Sequence, residues 1–378
     1  MDRRRKGVWG PKLGKNSIIF VDDLNMPKKE KYGAQPPIEL LRQWMDYQGW
    51  YELIGDKEFR KLVSVTFCAA MQPPGSQKTI TNRYIRHYNV MYIEPYSDAS
   101  LQTIFGNVMD WMFKSQTKYQ YSQGVQSTKD SMVLATIQTY QEIMKRFRPT
   151  PAKSHYTYNL RDVSKVFQGI AKSDPRAITE DRDLIKLWAH ECMRVFQDRL
   201  ISMEDRDEFL GLLKEQTSKK FKKDLDSLIE VKPLLFGSFV PTIYPDGDTS
   251  KKPIIDIYCE LVDRDKVKKG CNAQLEEFNT MNRSKAMDLV LFTDAIEHIV
   301  KIHRIITTQF GNALLVGVGG SGRKSLSELS TFIAGQEMVR LEMAKGYGMK
   351  EWREDMVNSL FCAAGIDSQP HVFLLPDT

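Results

Sequence analysis

Two clusters in this sequence combine the residue types that nucleotide chemistry uses. IIFVDD, at Ile18 to Asp23, is a short apolar run ending in paired carboxylates. GVGGSGRKS, at Gly317 to Ser325, is a glycine-rich loop followed by basic and hydroxyl side chains. A carboxylate at the end of an interior strand can hold a magnesium-bound water against phosphates, and a second can polarise the attacking water. Asp22 suits the first role and Asp23 the second. Glutamate is the usual residue for the second, and aspartate is one methylene shorter. At the other cluster, the backbone N–H groups of a glycine-rich loop that opens a helix can cradle phosphate.

The order of the two clusters is the informative feature. Within one nucleotide site the loop follows the first strand of a parallel sheet and the acids follow a later one. Here the acids come near the front of 378 residues and the loop near the back. The expectation is a stretch of a tandem array of ATPase modules, starting inside one module and stopping inside the next. On that reading the chain is a segment and not a self-contained enzyme.

The loop also departs from G-x-x-x-x-G-K-[ST]. Gly317, Val318, Gly319, Gly320, Ser321 and Gly322 supply the cradle, but Arg323 stands at the lysine position. Its guanidinium can pair with phosphate oxygens but is bulkier than an ammonium. Lys324 stands where the magnesium-binding hydroxyl belongs, and an ammonium has no lone pair to offer a metal. Ser325, one place late, is the remaining hydroxyl, so the metal candidates are Asp22 and Ser325. ATP or ADP binding is expected, with a weak or incomplete Mg2+ site and no efficient hydrolysis.

The elements that must position these residues follow from pattern. Ile18 to Val21 suits a central parallel strand, Pro36 and Pro37 open a helix, and Leu62 to Ala70 reads as another interior strand. From about Ser97 to Phe221 the periodicity is helical, around Leu101 to Phe113, Ser131 to Phe147, Asn159 to Ile170 and Leu184 to Leu200. Proline and glycine crowd the stretch from Val231 to Pro253, which reads as an inter-module connection. Beyond it, Met287 to Thr307 predicts an amphipathic helix, Ala313 to Val316 a buried strand, Lys324 to Ala334 a helix, and Val372 to Leu375 a strand ending at Asp377.

Composition bounds the class. Hydrophobic content of 42% and charged content of 27% are ordinary for globular protein, and no long apolar run suggests a membrane span. The start, MDRRRKGVWGPK, has no apolar stretch of the kind a signal peptide carries. A net charge of +6, scattered along the chain and without a basic stripe interleaved with aromatics, disfavours nucleic acid. The five cysteines show no CxxC spacing, which fits reduced thiols in cytoplasm. His190-Glu191 begins a zinc-helix pattern, but Arg194 stands where the second histidine would be.

Longer strings carry a resemblance. IIFVDDLNMP, YGAQPPIELLRQWMD, AAMQPPGS and NRYIRHYNV together resemble the third ATPase module of an axonemal dynein heavy chain. HYTYNLRDVSKVFQGI resembles the helical sensor region of that module. MDLVLFTDAIEHIVKIHRI and GNALLVGVGGSGRKSLSELSTFIAG resemble the start of the fourth, and FLLPDT its acidic strand. The resemblance covers almost the whole chain. It implies tandem AAA+ (P-loop ATPase) modules of class α/β plus α, with parallel-sheet large subdomains and a helical small subdomain. The implied parts are 1–96, the later part of one large subdomain, 97–230, the helical subdomain, 231–285, the connection, and 286–378, the beginning of the next module.

Residue by residue, the resemblance places Asp22 and Asp23 on the acidic strand and Gln72 at the polar sensor position. It places Arg83 and Arg86 where basic side chains face a neighbouring module as arginine fingers, and Arg161 at the second sensor. Asp377 falls on the fourth module's acidic strand, with Thr378 in place of the second acid. It further implies a minus-end-directed microtubule motor of cilia and flagella, located in cytoplasm, cytoskeleton and ciliary axoneme. Its partners would be neighbouring AAA+ modules of the same heavy chain, dynein intermediate and light chains, and microtubules through parts outside these residues. Nucleic acid and membrane are not among them. Neither motif has its mate here, so negligible ATP turnover is expected from the chain alone, and cut sheets would leave strand edges exposed. The alternative reading is a truncated non-motor product acting as an assembly or interaction piece.

Overall fold

The computed structural model describes residues 1–73, 79–115, 119–240, 257–341, 346–357, 361 and 370–376. Contacts divide the chain into two units, Met1–Pro95 and Tyr96–Thr378.

In the first unit, β1 (Asp2–Arg5), β2 (Val8–Gly10), β4 (Gly49–Tyr51) and β5 (Phe59–Leu62) form a sheet of order β1-β2-β5-β4. A separate ladder joins β3 (Ser17–Val21) to β6 (Val65–Ala69) in parallel, from Ser17 opposite Val65 to Val21 opposite Ala69. Helix α1 (Pro36–Tyr47) begins with two prolines, whose missing N–H groups would lack an intrahelical acceptor in any case. Trp44 of α1 sits with its ring centroid 4.5 Å from that of Phe67 on β6, so the helix covers one face of the ladder. The short α2 (Asn82–Ile85) is capped by Thr81 and buries Tyr84 beside Leu24, Ile38 and Ile80.

Two expectations change here. Ser64 takes φ 57° and breaks the apolar run, so Leu62 ends β5 and a separate strand begins at Val65. The ladder is also not interior. Ile18 is 72% exposed and Phe20 60%, because among the described residues β3 pairs with β6 alone and α1 covers a single face. Cys68, opposite Phe20 in the register, shares that exposure, whereas Cys192, Cys259 and Cys271 are buried.

The second unit opens with helices α3 (Asp98–Ser115), α4 (Gln123–Ser127), α5 (Lys129–Arg146), α6 (Leu160–Ile170), α7 (Asp181–Cys192), α8 (Met203–Phe221) and α9 (Leu225–Leu228). A π-helical turn, Met193–Gln197, continues α7. Their apolar faces enclose one core in which Phe105 and Phe167 stack at 4.7 Å and the buried Trp188 donates its ring N–H to Thr136 at 2.9 Å. The sequence of α6 sets its own start. The Asn159 side chain accepts from the N–H of Arg161, and Asp162 reaches back to the N–H of Asn159, two otherwise unpaired donors satisfied together.

Strands β7 (Phe236–Gly237) and β8 (Cys259–Glu260) pair antiparallel and lead into α10 (Arg264–Met281). Helix α10 packs Val267, Cys271 and Leu275 with α11 (Thr293–Ile306) and α12 (Arg323–Ile333) around a second core. Then come β9 (Glu337–Arg340), α13 (Met349–Asp355) and β10 (His371–Leu374), with β9 and β10 parallel. The helix expected from Met287 starts at Thr293. The expected buried strand Ala313–Val316 is not formed: Leu314 is 90% exposed and Val316 89%, with no strand beside them among the described residues. An apolar run is buried only when neighbours flank it.

Candidate functional site

The parallel register brings the ends of β3 and β6 together. The Ala70 N–H donates to Val21 at 2.9 Å and the Leu24 N–H donates to Ala70 at 3.0 Å, so the chain leaves both strands side by side. Asp22 and Asp23 follow β3 there, both exposed. Asp23 adopts φ 47°, held by its own N–H to the Asp22 carboxylate at 3.0 Å and by its carbonyl accepting from Met26 at 2.8 Å. The exposed Gln72 lies just past β6. Asn25, buried and missed in the sequence, donates its side-chain amide to the Gln72 carbonyl at 3.3 Å and ties the two ends. Its signal was available: it is the nearest amide after the acids.

Arg83 and Arg86 lie at α2, anchored by Tyr84. Arg83 is exposed. Arg86 reaches Asp46 of α1 at 3.4 Å, and Asp46 also gathers Arg42 at 2.9 Å and His87 at 3.1 Å. The first unit therefore assembles Asp22, Asp23 and Gln72 at one edge and orients Arg86 by a carboxylate that the sequence reading passed over. Arg161, in the second unit, is exposed in the first turn of α6.

At the second cluster the chain turns tightly. Gly320 and Gly322 take φ 78° and 76°, conformations that side-chain-bearing residues rarely adopt. A Cβ on Gly317 would come within 2.9 Å of the Ser321 hydroxyl, so a larger residue there would make that side chain turn away. Gly322 precedes α12, and its carbonyl accepts the N–H of Leu326 at 2.8 Å. Val318, Gly319 and Ser321 complete the loop, and Arg323, Lys324 and Ser325 fill the first turn of α12, half-buried. The first N–H groups of a helix have no intrahelical acceptor, so this end offers donors to an anion. The donor set suits phosphate. For magnesium it supplies Ser325 alone in that turn, because Lys324 has no lone pair. Asp377 lies outside the described residues.

Sequence comparisons fit this geometry. Residues 1–96 match the family described as P-loop containing dynein motor region, residues 132–232 the AAA+ lid domain, and residues 287–378 the P-loop containing dynein motor region D4. Dynein axonemal heavy chain 1 of Homo sapiens is 42% identical over 388 residues, covering 100% of this chain and 9% of that protein. The chain belongs to the dynein heavy-chain family.

Other axonemal relatives agree. Dynein axonemal heavy chain 3 of Homo sapiens is 39% identical over 100% of the chain and 9% of its own length, and dynein axonemal heavy chain 12 of Rattus norvegicus is 39% identical over 97% and 12%. This dynein segment thus spans about a tenth of the curated relatives it matches. It carries AAA+ P-loop and lid regions, with mixed α/β content.

Between lid and the following region lies a buried polar group that sequence reading noted only as a failed zinc pattern. The fully buried Glu191 of α7 accepts from both Nε and a terminal nitrogen of Arg304 on α11, from the Tyr258 hydroxyl at 2.8 Å, and contacts His190 at 3.2 Å. Burial alone would push its carboxyl up, but the Arg304 charge and these hydrogen bonds outweigh it and hold the carboxyl well below the usual range. Burial also lowers His190 and His303 to about 4 each, the latter with help from the Lys172 charge. The same burial, with the Arg304 charge, brings Lys172 down to about 8.

Proposed function

We propose that this chain is the stretch of an axonemal dynein motor ring that runs from the third into the fourth AAA+ module, divided at 1–96, 97–230, 231–285 and 286–378, and that it binds nucleotide in a regulatory role. The observation that carries the proposal is the Gly317–Gly322 loop. Two glycines at positive φ bring its backbone to the start of α12, while Arg323 and Lys324 replace the groups that hydrolysis requires. ATP or ADP would rest on the loop and pair with Arg323, and Mg2+ would be held weakly.

Asp22, Asp23 and Gln72 would serve the preceding site, Arg83 and Arg86 would act across to a neighbour, and Arg161 would sense the γ-phosphate. In the parent protein these modules would work in ATP-driven, minus-end-directed movement on microtubules in the ciliary axoneme, with intermediate and light chains as partners. Isothermal titration of ATP and ADP into the purified chain tests the reading. Micromolar binding is expected, weakened about tenfold, or roughly 1.4 kcal/mol, by Arg323→Ala. No binding by the unsubstituted chain would overturn it.

A further inference from the structure

We infer that Gln168 and Lys172 are positioning residues that fix the turn delivering the chain to the Gly317–Gly322 loop, acting from the opposite end of the helix that carries Arg161. The inference rests on the reading that this loop binds nucleotide, and it adds what holds the loop's approach.

The last carbonyls of a helix need partners from outside it. On α11 the Arg304 carbonyl accepts from the Lys172 ammonium at 2.9 Å and from the Thr308 hydroxyl at 2.6 Å, and Lys172 also reaches the Thr307 hydroxyl at 3.4 Å. A cation at this end also complements the helix dipole. Past the helix the chain reverses tightly. Thr308 N–H donates to Ile305 at 3.0 Å, Gly311 N–H to Thr308 at 2.8 Å, and Phe310 takes φ 57°. Gln168 donates to the Gln309 carbonyl at 3.1 Å, at the apex of that turn. From Gly311 to Gly317 the chain has no strand partner among the described residues, and an anchored element bounds it at each end. One end is α12, packed on α11 through Leu326 and Leu329. The other is the turn that Gln168 and Lys172 hold.

The same end of α6 is keyed in a second way. A Cβ on Gly169 would collide with the Glu191 carboxylate, so glycine there makes room for the group that grips Arg304. Lys172 thus reaches the end of α11 and Gln168 the turn beyond it, while Gly169 makes room for the carboxylate that grips Arg304. Arg161 lies at the start of the same 11-residue helix, about 11 Å from Gln168 along the axis at 1.5 Å per residue.

The test compares the whole chain with Gln168→Ala/Lys172→Met and with the conservative Lys172→Arg. Backbone hydrogen exchange without nucleotide is expected to quicken about tenfold at the hydrogen-bonded amides of the turn, Thr307, Thr308 and Gly311, in the double variant, while α3, α5 and α8 keep their protection. Its dissociation constant for a fluorescent N-methylanthraniloyl ADP should rise about fivefold, and Lys172→Arg should stay near the parent value. Unchanged exchange at those three amides overturns the inference, as does an equal loss of protection across α3, α5 and α8, which would mark a merely structural role. If the unsubstituted chain binds no nucleotide, the functional reading fails by itself and the exchange pattern still decides the positioning role.

Discussion

Glu191 is a fully buried carboxylate whose arginine partner lies 113 positions along the chain. Removing one member of such a pair strands the other in a poor dielectric, which costs about 3–5 kcal/mol, whereas exposed pairs such as Lys145–Glu142 contribute at most about 1 kcal/mol. Glu191→Ala is expected to lower the unfolding free energy of the second unit by that larger amount, read from urea denaturation. A change below about 1 kcal/mol would mean that the pair is not dry. The histidines set a pH dependence of definite sign. With folded values near 4 against an ordinary 6.5, His190 and His303 stay neutral in the fold while the unfolded chain protonates. Stability should therefore fall as pH drops from about 6.5 toward 4, by up to about 1.4 kcal/mol per pH unit for each. Denaturation midpoints across that window check it, and the His190→Asn/His303→Gln pair should flatten the slope.

At the scale of elements, helix starts are where local sequence decides most. The Asn159 and Asp162 pair closes the first turn of α6, so Asn159→Ala is expected to cost about 1 kcal/mol and a few degrees in melting temperature. A calorimetric scan with no shift would show that packing of Val163, Val166 and Phe167 alone sets the start. The same locality explains which elements could be read in the sequence. Glycines at 320 and 322, prolines at 36 and 37, and the 3.6-residue spacing of Val163, Val166, Phe167 and Ile170 announce themselves within a few residues. Partners distant in the chain do not. Arg304 falls in an amphipathic helix, where a charge ordinarily marks the wet face, and nothing near it points to Glu191. Ala313 to Val316 misled for the complementary reason, because the run is apolar but burial depends on flanking strands.

For the whole molecule, Asp22 and Asp23 and the Gly317–Gly322 loop belong to different units, each with its own core. Hydrolysis needs a cradle, a metal, a water-orienting group and a neighbour's arginine converging on one nucleotide. Magnesium-dependent ATP turnover by this chain is expected to be indistinguishable from background in a coupled phosphate-release assay. Turnover abolished by Arg323→Ala or by Asp22→Ala would contradict that. The residue types of the two clusters were legible from the start, as was their inverted order. The contacts that fix their surroundings, from Asn25, Asp46 and Lys172, became visible once strand register and helix ends were known.

The uncovered side of the β3–β6 ladder has a practical outcome. Among the described cysteines, Cys68 alone meets solvent, while burial pushes the Cys271 thiol up to about 12 and Cys192 well above its ordinary value. A maleimide dye at neutral pH would select the accessible sulfur over those shielded ones. At Cys68 the label would sit two residues before Ala70, whose backbone locks the strand bearing Asp22 in place, and its emission would register any slippage between the two strands of that ladder.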